Sequence, residues 1–153
     1  QLSKVVLLEP DPIEPAVGVG SAGDAPAGVS VADLARSLVA ALAAADRSVT
    51  LSGCQIAGDT ARPAGRVGIV CGSGGEMVAA VQSAGCTTLV TGEIKLHDAL
   101  AAMAAGVSVI AVGHHASERF SMGVLAARLA ARLPGLTSFA SRTDIDPFTW
   151  IPA

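Results

Sequence analysis

Three short apolar runs recur at intervals of about 20 residues, and each is followed by a turn and a helical pattern. The runs are Arg66–Cys71, Cys86–Thr91 and Val107–Val112, and the helix predicted after the last one covers Ala116–Arg132. Strand signals that alternate with helix signals favour βαβ units, whose strands are parallel and whose crossovers are right-handed. The repeat therefore predicts an α/β fold: three layers, with a mostly parallel or mixed sheet and helices on both faces.

Polar side chains follow these predicted strands at their carboxyl ends, where open α/β sheets usually bind ligands. His114 and Glu118 are four residues apart and share one face of a helix that begins near His114. Glu93 and His97 have the same spacing, in the reverse order, after the preceding strand. An imidazole and a carboxylate on one helical turn are common metal ligands, although a single such pair is also typical of an ordinary polar surface. Their repetition at one sheet edge favours a functional site.

The glycine-rich turn Gly72–Gly75 has two interpretations. Such a turn can present backbone amides to a phosphate, or it can let a helix approach the sheet closely. No Lys-Ser or Lys-Thr follows it, so the turn is not a P-loop. Both interpretations stay open at the level of sequence.

The amino-terminal half contains a literal GxGxxG match at Gly18–Gly23. A dinucleotide fingerprint requires a helix to open at its last glycines, and here Asp24-Ala-Pro26-Ala-Gly28 follows instead, which excludes that function. Ser30 is predicted to cap a helix over Val31–Ala45 together with Asp33. The other predicted elements are strands at Lys4–Glu9, Ala16–Gly20, Arg47–Ser52 and Gly135–Ala140, a loop at Gln55–Gly65 and a tail at Ser141–Ala153 that packs on the body.

Composition limits the class of protein. The 153 residues are enough for a single α/β domain, and 51% of them are apolar, much of this being alanine. The net charge is −3 and basic residues do not cluster, which argues against nucleic-acid binding. No apolar stretch is long enough to span a bilayer and no signal peptide is recognised, so a cytoplasmic location is predicted. Cys54, Cys71 and Cys86 are expected to be free thiols, with Cys71 a small buried hydrophobe.

Several motifs, in this order and spacing, resemble one family. They are Gly18-Val-Gly20 with Gly23, Cys71–Gly75, Thr91-Gly-Glu93 through His97-Asp98, Gly113-His114 through Glu118, and Asp146-Pro-Phe148. Over about residues 16–150 the chain is similar to the carboxyl-terminal half of the YbgI-like proteins, also called GTP cyclohydrolase type-two homologues. The pair Thr-Gly-Glu-x-x-x-His-Asp and Gly-His-x-x-x-Glu is the most specific part of the resemblance.

The resemblance implies a two-lobed α/β protein with a dinuclear metal centre between the lobes, assembled as a hexameric ring. His114 and Glu118 then fall on metal ligands, and Glu93 and His97 on a second site motif with a catalytic role. The cofactor would be a divalent metal (zinc, manganese or iron), two ions per complete site. Residues 1–15 would connect to a missing amino-terminal lobe.

Two features depart from that family. Its amino-terminal ligands, a His-His-Pro motif and a later aspartate, have no counterpart, because no histidine precedes His97. In addition, Ser21 replaces a usual arginine. Two functions therefore remain: a metal-dependent hydrolase of unknown substrate, or a non-catalytic oligomeric assembly or regulatory module that retains half of a metal site. For either, the sequence predicts a homo-oligomer.

Overall fold

The computed structural model describes residues 1–45, 51 and 53–149. Its elements are β1 (Ser3–Pro10), β2 (Gly18–Asp24), α1 (Val31–Ala45), β3 (Gln55–Ala57), β4 (Arg66–Ser73), α2 (Val78–Ser83), β5 (Thr88–Glu93), α3 (Leu96–Ala104), β6 (Ser108–Ala111) and α4 (His114–Arg132). A short 3-10 helix, Gly75–Met77, precedes α2. The strands form one six-stranded mixed sheet in the order β1-β2-β4-β5-β6-β3. The predicted α/β fold is confirmed.

The centre of the sheet is parallel. β5 pairs in parallel with β4 on one side and with β6 on the other, through matches such as Val70 with Thr91 and Thr91 with Ala111. These strands and the helices between them confirm the predicted series of βα units from residue 66 onward. Because the three strands run in one direction, their carboxyl ends share one edge of the sheet.

Two apolar cores lie on opposite faces of this sheet. Leu89 and Val109 belong to the core beneath α2 and α3, whereas Val90 and Ile110 belong to the core beneath α1. Successive side chains of a strand point to opposite faces, so strands apolar throughout are buried on both sides. α4 packs against β4, β5 and α1. The predicted three layers with helices on both faces are therefore present.

The amino-terminal strands extend the sheet in antiparallel fashion. β1 pairs with β2, and β2 pairs with β4. The second strand begins two residues later than predicted and contains the GxGxxG match. α1 begins only at Val31, after a loop, which confirms that the match is not a dinucleotide fingerprint. A Cβ at Gly20 would lie 3.1 Å from the carbonyl oxygen of Ile69, so the glycine there allows close strand packing.

The predicted amino-terminal cap of α1 is confirmed. The Ser30 hydroxyl accepts a hydrogen bond from the Asp33 backbone N–H at 3.1 Å, and the Asp33 carboxylate accepts one from the Ser30 N–H at 3.3 Å. The Ser30 hydroxyl also donates to the Asp33 carboxylate at 2.6 Å, and this bond, together with the one from the Ser30 N–H, lowers the pKa of Asp33 because both stabilise its ionised form. The pair has the geometry of a capping box.

Two predictions of local structure are wrong. Gln55–Ala57 was expected in a loop but forms β3, which pairs antiparallel with β6 and covers the edge of that buried strand. Gly135–Ala140 was expected as a strand but has no regular structure. The outer edge of β6 is already occupied by β3, and residues 138–140 lie beside α4 instead. The predicted strand Arg47–Ser52 falls largely on residues outside the described ones.

The prediction that Cys71 is buried is also wrong. Cys71, interpreted as a buried hydrophobe, is exposed at the end of β4. Among the described residues, no helix is both long enough and apolar enough to cross a bilayer.

Candidate metal site

A cluster of glycines brings α4 onto the ends of the central strands. Gly113, in the left-handed region at φ 101°, immediately precedes α4 and donates its N–H to the Gly92 carbonyl at 2.8 Å. A Cβ at Gly92 would lie 2.5 Å from Ser117 Oγ and 2.9 Å from His114 Cα. Any side chain at position 92 would therefore push the first turn of α4 away from the sheet.

Ser117 ties that first turn to β4. Its hydroxyl is buried, accepts the N–H of Gly72 at 2.8 Å and donates to the His114 carbonyl at 2.8 Å. Thr91 adds a bond from its hydroxyl to the Gly72 carbonyl at 3.1 Å. Both backbone groups of Gly72 are thus held by side chains from neighbouring elements, which determines where His114 lies relative to the sheet edge.

The imidazole of His114 lies between two carboxylates. Its Nδ1 is 3.1 Å from Oε1 of Glu93, and its Nε2 is 3.4 Å from Oε1 of Glu118. An imidazole donates from both nitrogens only when it is protonated. The hydrogen bond to Glu93 is the main cause that raises the pKa of His114, and the charge of Glu118 raises it further. Without a metal, this arrangement therefore stabilises the imidazolium form.

These groups line one cleft of about 560 Å³. Its walls come from β3, the ends of β5 and β6, the start of α4 and the carboxyl-terminal segment. The lining residues are Leu51, Gly53, Gln55, Gly92, Glu93, Ile94, Ala111, Val112, Gly113, His114, His115, Glu118, Asp146, Pro147 and Phe148. A few polar side chains and a larger set of apolar ones line this cavity together, as in many small-molecule sites.

Three of the four residues singled out from sequence are brought together here. Glu93, His114 and Glu118 all line the cleft, whereas His97 does not. The side chain of His97 is 76% exposed, and its Nε2 lies 3.5 Å from Asp98. The geometry therefore gives His97 no contact with the other three, and its catalytic role stays a prediction.

The cluster does not by itself form a complete metal site. Within residues 1–45, 51 and 53–149, no group of three or more His, Cys, Asp and Glu side chains is arranged to hold a metal ion. The reason is that Glu93 and Glu118 face different nitrogens of His114. An ion bound to either ring nitrogen of His114 would therefore have only one of these two carboxylates beside it.

The glycine-rich turn after β4 favours close packing over phosphate binding. The N–H of Gly72 is taken by Ser117, and that of Gly74 donates to the Glu93 carbonyl at 3.3 Å. A Cβ at Gly74 would lie 2.5 Å from Thr91 Oγ1. Nearby, the thiol of Cys71 has its pKa raised by partial burial and by the charge of Glu118, which disfavours a reactive thiolate.

The sequence matches one protein family. The family model Duf34/NIF3 (NGG1p interacting factor 3) matches residues 1–147. The chain belongs to the Duf34/NIF3 family. It is 29% identical over 104 residues to the GTP cyclohydrolase 1 type 2 homolog of Bacillus subtilis, covering 66% of this chain and 28% of that protein. It is 44% identical over 50 residues to the GTP cyclohydrolase 1 type 2 of Helicobacter pylori, covering 33% of this chain and 20% of that protein.

Several solved structures share the fold. A Staphylococcus aureus hypothetical protein superimposes with a TM-score of 0.73 at 23% identity, covering 90% of this chain and 45% of that one. The protein ybgI, of unknown function, gives 0.63 at 24% identity, covering 97% and 52%. A Bacillus cereus protein related to NIF3 gives 0.70 at 20% identity, covering 88% and 36%. The chain therefore spans about a third to a half of the length of these solved structures.

Sequence reasoning missed a polar cluster around the buried Arg119, which borders the cleft through His115. Arg119, 5% exposed, donates to the Ser141 carbonyl at 2.5 Å, and its Nε lies 3.2 Å from Asp144. His115 lies 3.8 Å from the same carboxylate. The signal was present in the helical spacing: Arg119 follows Ala116 by three residues and precedes Ala126 by seven, so it shares their buried face.

Proposed function

We propose that this member of the Duf34/NIF3 family is a metal-dependent hydrolase and that His114 and Glu118 supply metal ligands. The observation that carries the proposal is the convergence of His114 Nε2 and Glu118 Oε1, 3.4 Å apart, beside the α-carbon of Gly72. A Cβ there would lie 2.5 Å from Glu118 Oε1 and 3.3 Å from His114 Nε2. The imidazole and the carboxylate thus lie together where only a glycine leaves them room, and both line a cleft of ligand size.

The donor set fits a divalent ion of the zinc, manganese or iron kind. Imidazole nitrogen and carboxylate oxygen are ligands that these ions accept. Glu93, 3.1 Å from Nδ1, is placed to accept a hydrogen bond from Nδ1–H, which would leave Nε2 available to bind the ion. In this proposal Glu93 orients the ligand, and its exposed carboxylate also lies within the cleft where it can accept a proton from substrate or water.

Two ligands hold an ion weakly, so a complete centre of two ions requires donors beyond His114 and Glu118. The chain spans 28% of the Bacillus subtilis relative that it matches. We propose that the remaining ligands come from another segment or another chain. A bound divalent ion would lower the pKa of a water molecule and polarise the bond to be hydrolysed.

Calorimetric titration with zinc and manganese tests this assignment. We expect weak or substoichiometric binding to the chain and loss of that binding in His114→Ala. His115→Ala is the matched control and should bind like the wild type, since the His115 ring faces Asp144 rather than Glu118. Two tightly bound ions on this chain alone, or unchanged binding in His114→Ala, would show that the ligands are wrong.

A non-catalytic module is the second candidate function. It is favoured by the lack of a three-residue metal group within the described part of the chain. Apolar side chains exposed on β1 and β2, including Val5, Val6 and Val19, support self-association of either kind of protein. We propose a homo-oligomer, and a monomer mass by light scattering at micromolar concentration would contradict it. If binding of two ions is restored but none of the tested substrates is hydrolysed, the non-catalytic module is favoured.

A further inference from the structure

We propose that the outer face of α4 binds the acidic loop between β1 and β2 of a second copy of this chain, with Ile13 of that loop seated among the apolar side chains of the helix. The proposal rests on the homo-oligomer proposed above, whose interface it names, and it does not depend on the metal ligands. Two kinds of observation support it: both surfaces expose apolar side chains, and their charges are opposite.

The outer face of α4 is apolar although it faces solvent. Phe120, Val124 and Leu125 are 38%, 53% and 49% exposed. Since successive residues of a helix are about 100° apart, these three lie on the side away from the buried Arg119 and Ala126. A shallow hollow of about 330 Å³ on this face is lined by Phe120, Ser121, Met122, Val124, Leu125 and Arg128. Exposed apolar patches of this kind usually mark binding surfaces.

The charge of this face is positive. Arg128 and Arg132 are exposed one helical turn apart, and no Asp or Glu occurs between Glu118 and Asp144 in the sequence. Among the residues that the structure describes, neither guanidinium forms an ion pair. Two such faces placed against each other would bring cations together without a carboxylate between them. The face therefore fits an acidic surface better than its own copy.

The loop between β1 and β2, residues 11–17, carries the opposite charge. Glu9 just before it, Asp11 and Glu14 are all exposed, and residues 5–35 contain no Lys or Arg. In the ranges that the structure describes, none of these three carboxylates has a Lys or Arg within ion-pair distance. Their charges are therefore available to the guanidiniums of a second copy, whereas two such loops would repel each other.

Ile13 is the apolar centre of this loop, and its side chain is 92% exposed. The Asp11 carboxylate accepts the N–H of Ile13 at 2.8 Å and that of Glu14 at 2.9 Å. The bond from Glu14, followed by that from Ile13, holds the pKa of Asp11 below its usual range, which keeps the loop anionic. Pro12 and Pro15 restrict the backbone further. Because the loop is already ordered, seating Ile13 in the hollow of α4 costs little conformational entropy.

A contact between two different surfaces is heterologous. Each copy offers its loop to one neighbour and its α4 face to another, so the contacts build a ring where their rotation closes. The exposed Val17 and Val19 lie beside the loop and extend the apolar part of this interface. Since exposed charges contribute to the contact, association should weaken as the salt concentration rises.

Sedimentation velocity of the chain in buffer with a chelator tests the interface. We expect the wild type to associate at micromolar concentration. The helix variant Arg128→Glu/Arg132→Glu and the loop variant Glu9→Lys/Glu14→Lys should each raise the Kd of association at least about tenfold, because like charges then face each other. Mixing the two variants, or combining all four substitutions in one chain, should restore association, because opposite charges face each other again.

Matched variants separate the interface from general charge effects. Arg36→Glu/Lys95→Glu changes the net charge as much as the helix variant does, at exposed positions on other elements, and should associate like the wild type. Ile13→Ser should weaken association about tenfold or more, because it removes the apolar anchor.

Leu96→Ser, at a side chain of α3 that is 77% exposed, is the control for Ile13→Ser and should have no effect. All of these side chains are exposed, so the variants should keep the fold, which thermal unfolding checks.

Unchanged association in either charge-reversed variant, or a mixture of the two that stays dissociated, would overturn this interface and leave the homo-oligomer in place. Loss of association in the helix variant alone would assign the α4 face to another partner and would equally overturn it. A monomeric wild type would overturn both the interface and the homo-oligomer. Because the chelator removes metal, failure of the ligands assigned to His114 and Glu118 would leave these measurements unaffected.

Discussion

Ser117 and Gly72 join the two elements on which the candidate site depends. The hydroxyl of Ser117 on α4 accepts the N–H of Gly72 at the end of β4, 2.8 Å away, and donates to the carbonyl of His114. One buried side chain thus satisfies a strand donor and a helix acceptor together. Buried backbone groups are nearly always paired, so the loss of this hydroxyl would leave the Gly72 N–H without its partner.

Ser117→Ala should therefore lower the free energy of unfolding by about 1–3 kcal/mol, the cost of an unsatisfied buried donor. It should also weaken any metal binding, since the turn that carries His114 and Glu118 loses its tie to the sheet. Denaturant unfolding and metal titration measure the two effects. Ser121→Ala is the control, because its hydroxyl bonds to the Glu118 carbonyl on the exposed side of α4. Equal effects of the two variants would contradict the role assigned to Ser117.

Gly92→Ala should destabilise the protein more than the addition of a single methyl group suggests. The added Cβ would lie 2.5 Å from Ser117 Oγ, 2.7 Å from the Gly72 carbonyl oxygen and 2.9 Å from His114 Cα. Two of these atoms belong to the backbone and cannot move without shifting β4 or α4, so overpacking of about 1–3 kcal/mol is expected.

Gly123→Ala provides the matched comparison for this substitution. Gly123 lies within α4, and its added Cβ would meet open space. That variant should stabilise the protein by up to about 1 kcal/mol through helix propensity alone. Thermal unfolding of both proteins gives the comparison, and stabilisation by Gly92→Ala would show that α4 does not approach the sheet as described.

The central units could be predicted from the sequence because their signals are local. Apolar runs of five or six residues, glycine turns and the spacing of His114 and Glu118 are all read within one element. Because parallel strands end at a common edge of the sheet, the sequence also predicted that Glu93 lies near His114. The capping of α1 by Ser30 and Asp33 was equally local.

The errors concern partners that lie far away in the sequence. Whether Gln55–Ala57 or Gly135–Ala140 becomes a strand depends on which of them occupies the free edge of β6, and neither segment encodes that choice by itself. Cys71 was misjudged because exposure at a strand end depends on how α4 covers it. Arg119 contacts Ser141 and Asp144, which lie 22 or more residues further along the chain, and no sequence motif marks these contacts.

The protonation of His114 should make stability depend on pH in a defined direction. Its pKa is raised above the ordinary value of 6.5 by the hydrogen bond to Glu93 and by the charge of Glu118. A raised pKa means that the folded state binds the proton more tightly than the unfolded state. The stabilising contribution is therefore complete below about pH 6.5 and is lost as the pH rises through the folded value.

The measurement is an NMR titration of the His114 ring together with unfolding of wild type and His114→Ala at a series of pH values. The difference in unfolding free energy between the two should shrink as the pH rises through the folded pKa. Glu93→Gln should bring the pKa of His114 back toward its ordinary value, since its first cause is removed. Metal affinity should rise over the same window, because the ion competes with the proton. A pKa of His114 below 6.5 in the wild type would refute the arrangement.

Arg119→Leu should release the carboxyl-terminal segment from α4 while the helix itself remains folded. The variant removes the bond to the Ser141 carbonyl and the contact with Asp144, and Leu fills much of the same buried volume.

Arg142, one residue beyond Ser141, is an exposed trypsin site that reports on this segment. We expect trypsin to cleave after Arg142 at least about fivefold faster in Arg119→Leu, which corresponds to about 1 kcal/mol of lost local stability. Arg128→Leu replaces an exposed arginine of the same helix. Trypsin should cleave this variant after Arg142 at the wild-type rate. Equal cleavage rates in the wild type and Arg119→Leu would mean that Arg119 does not hold the segment that carries Phe148.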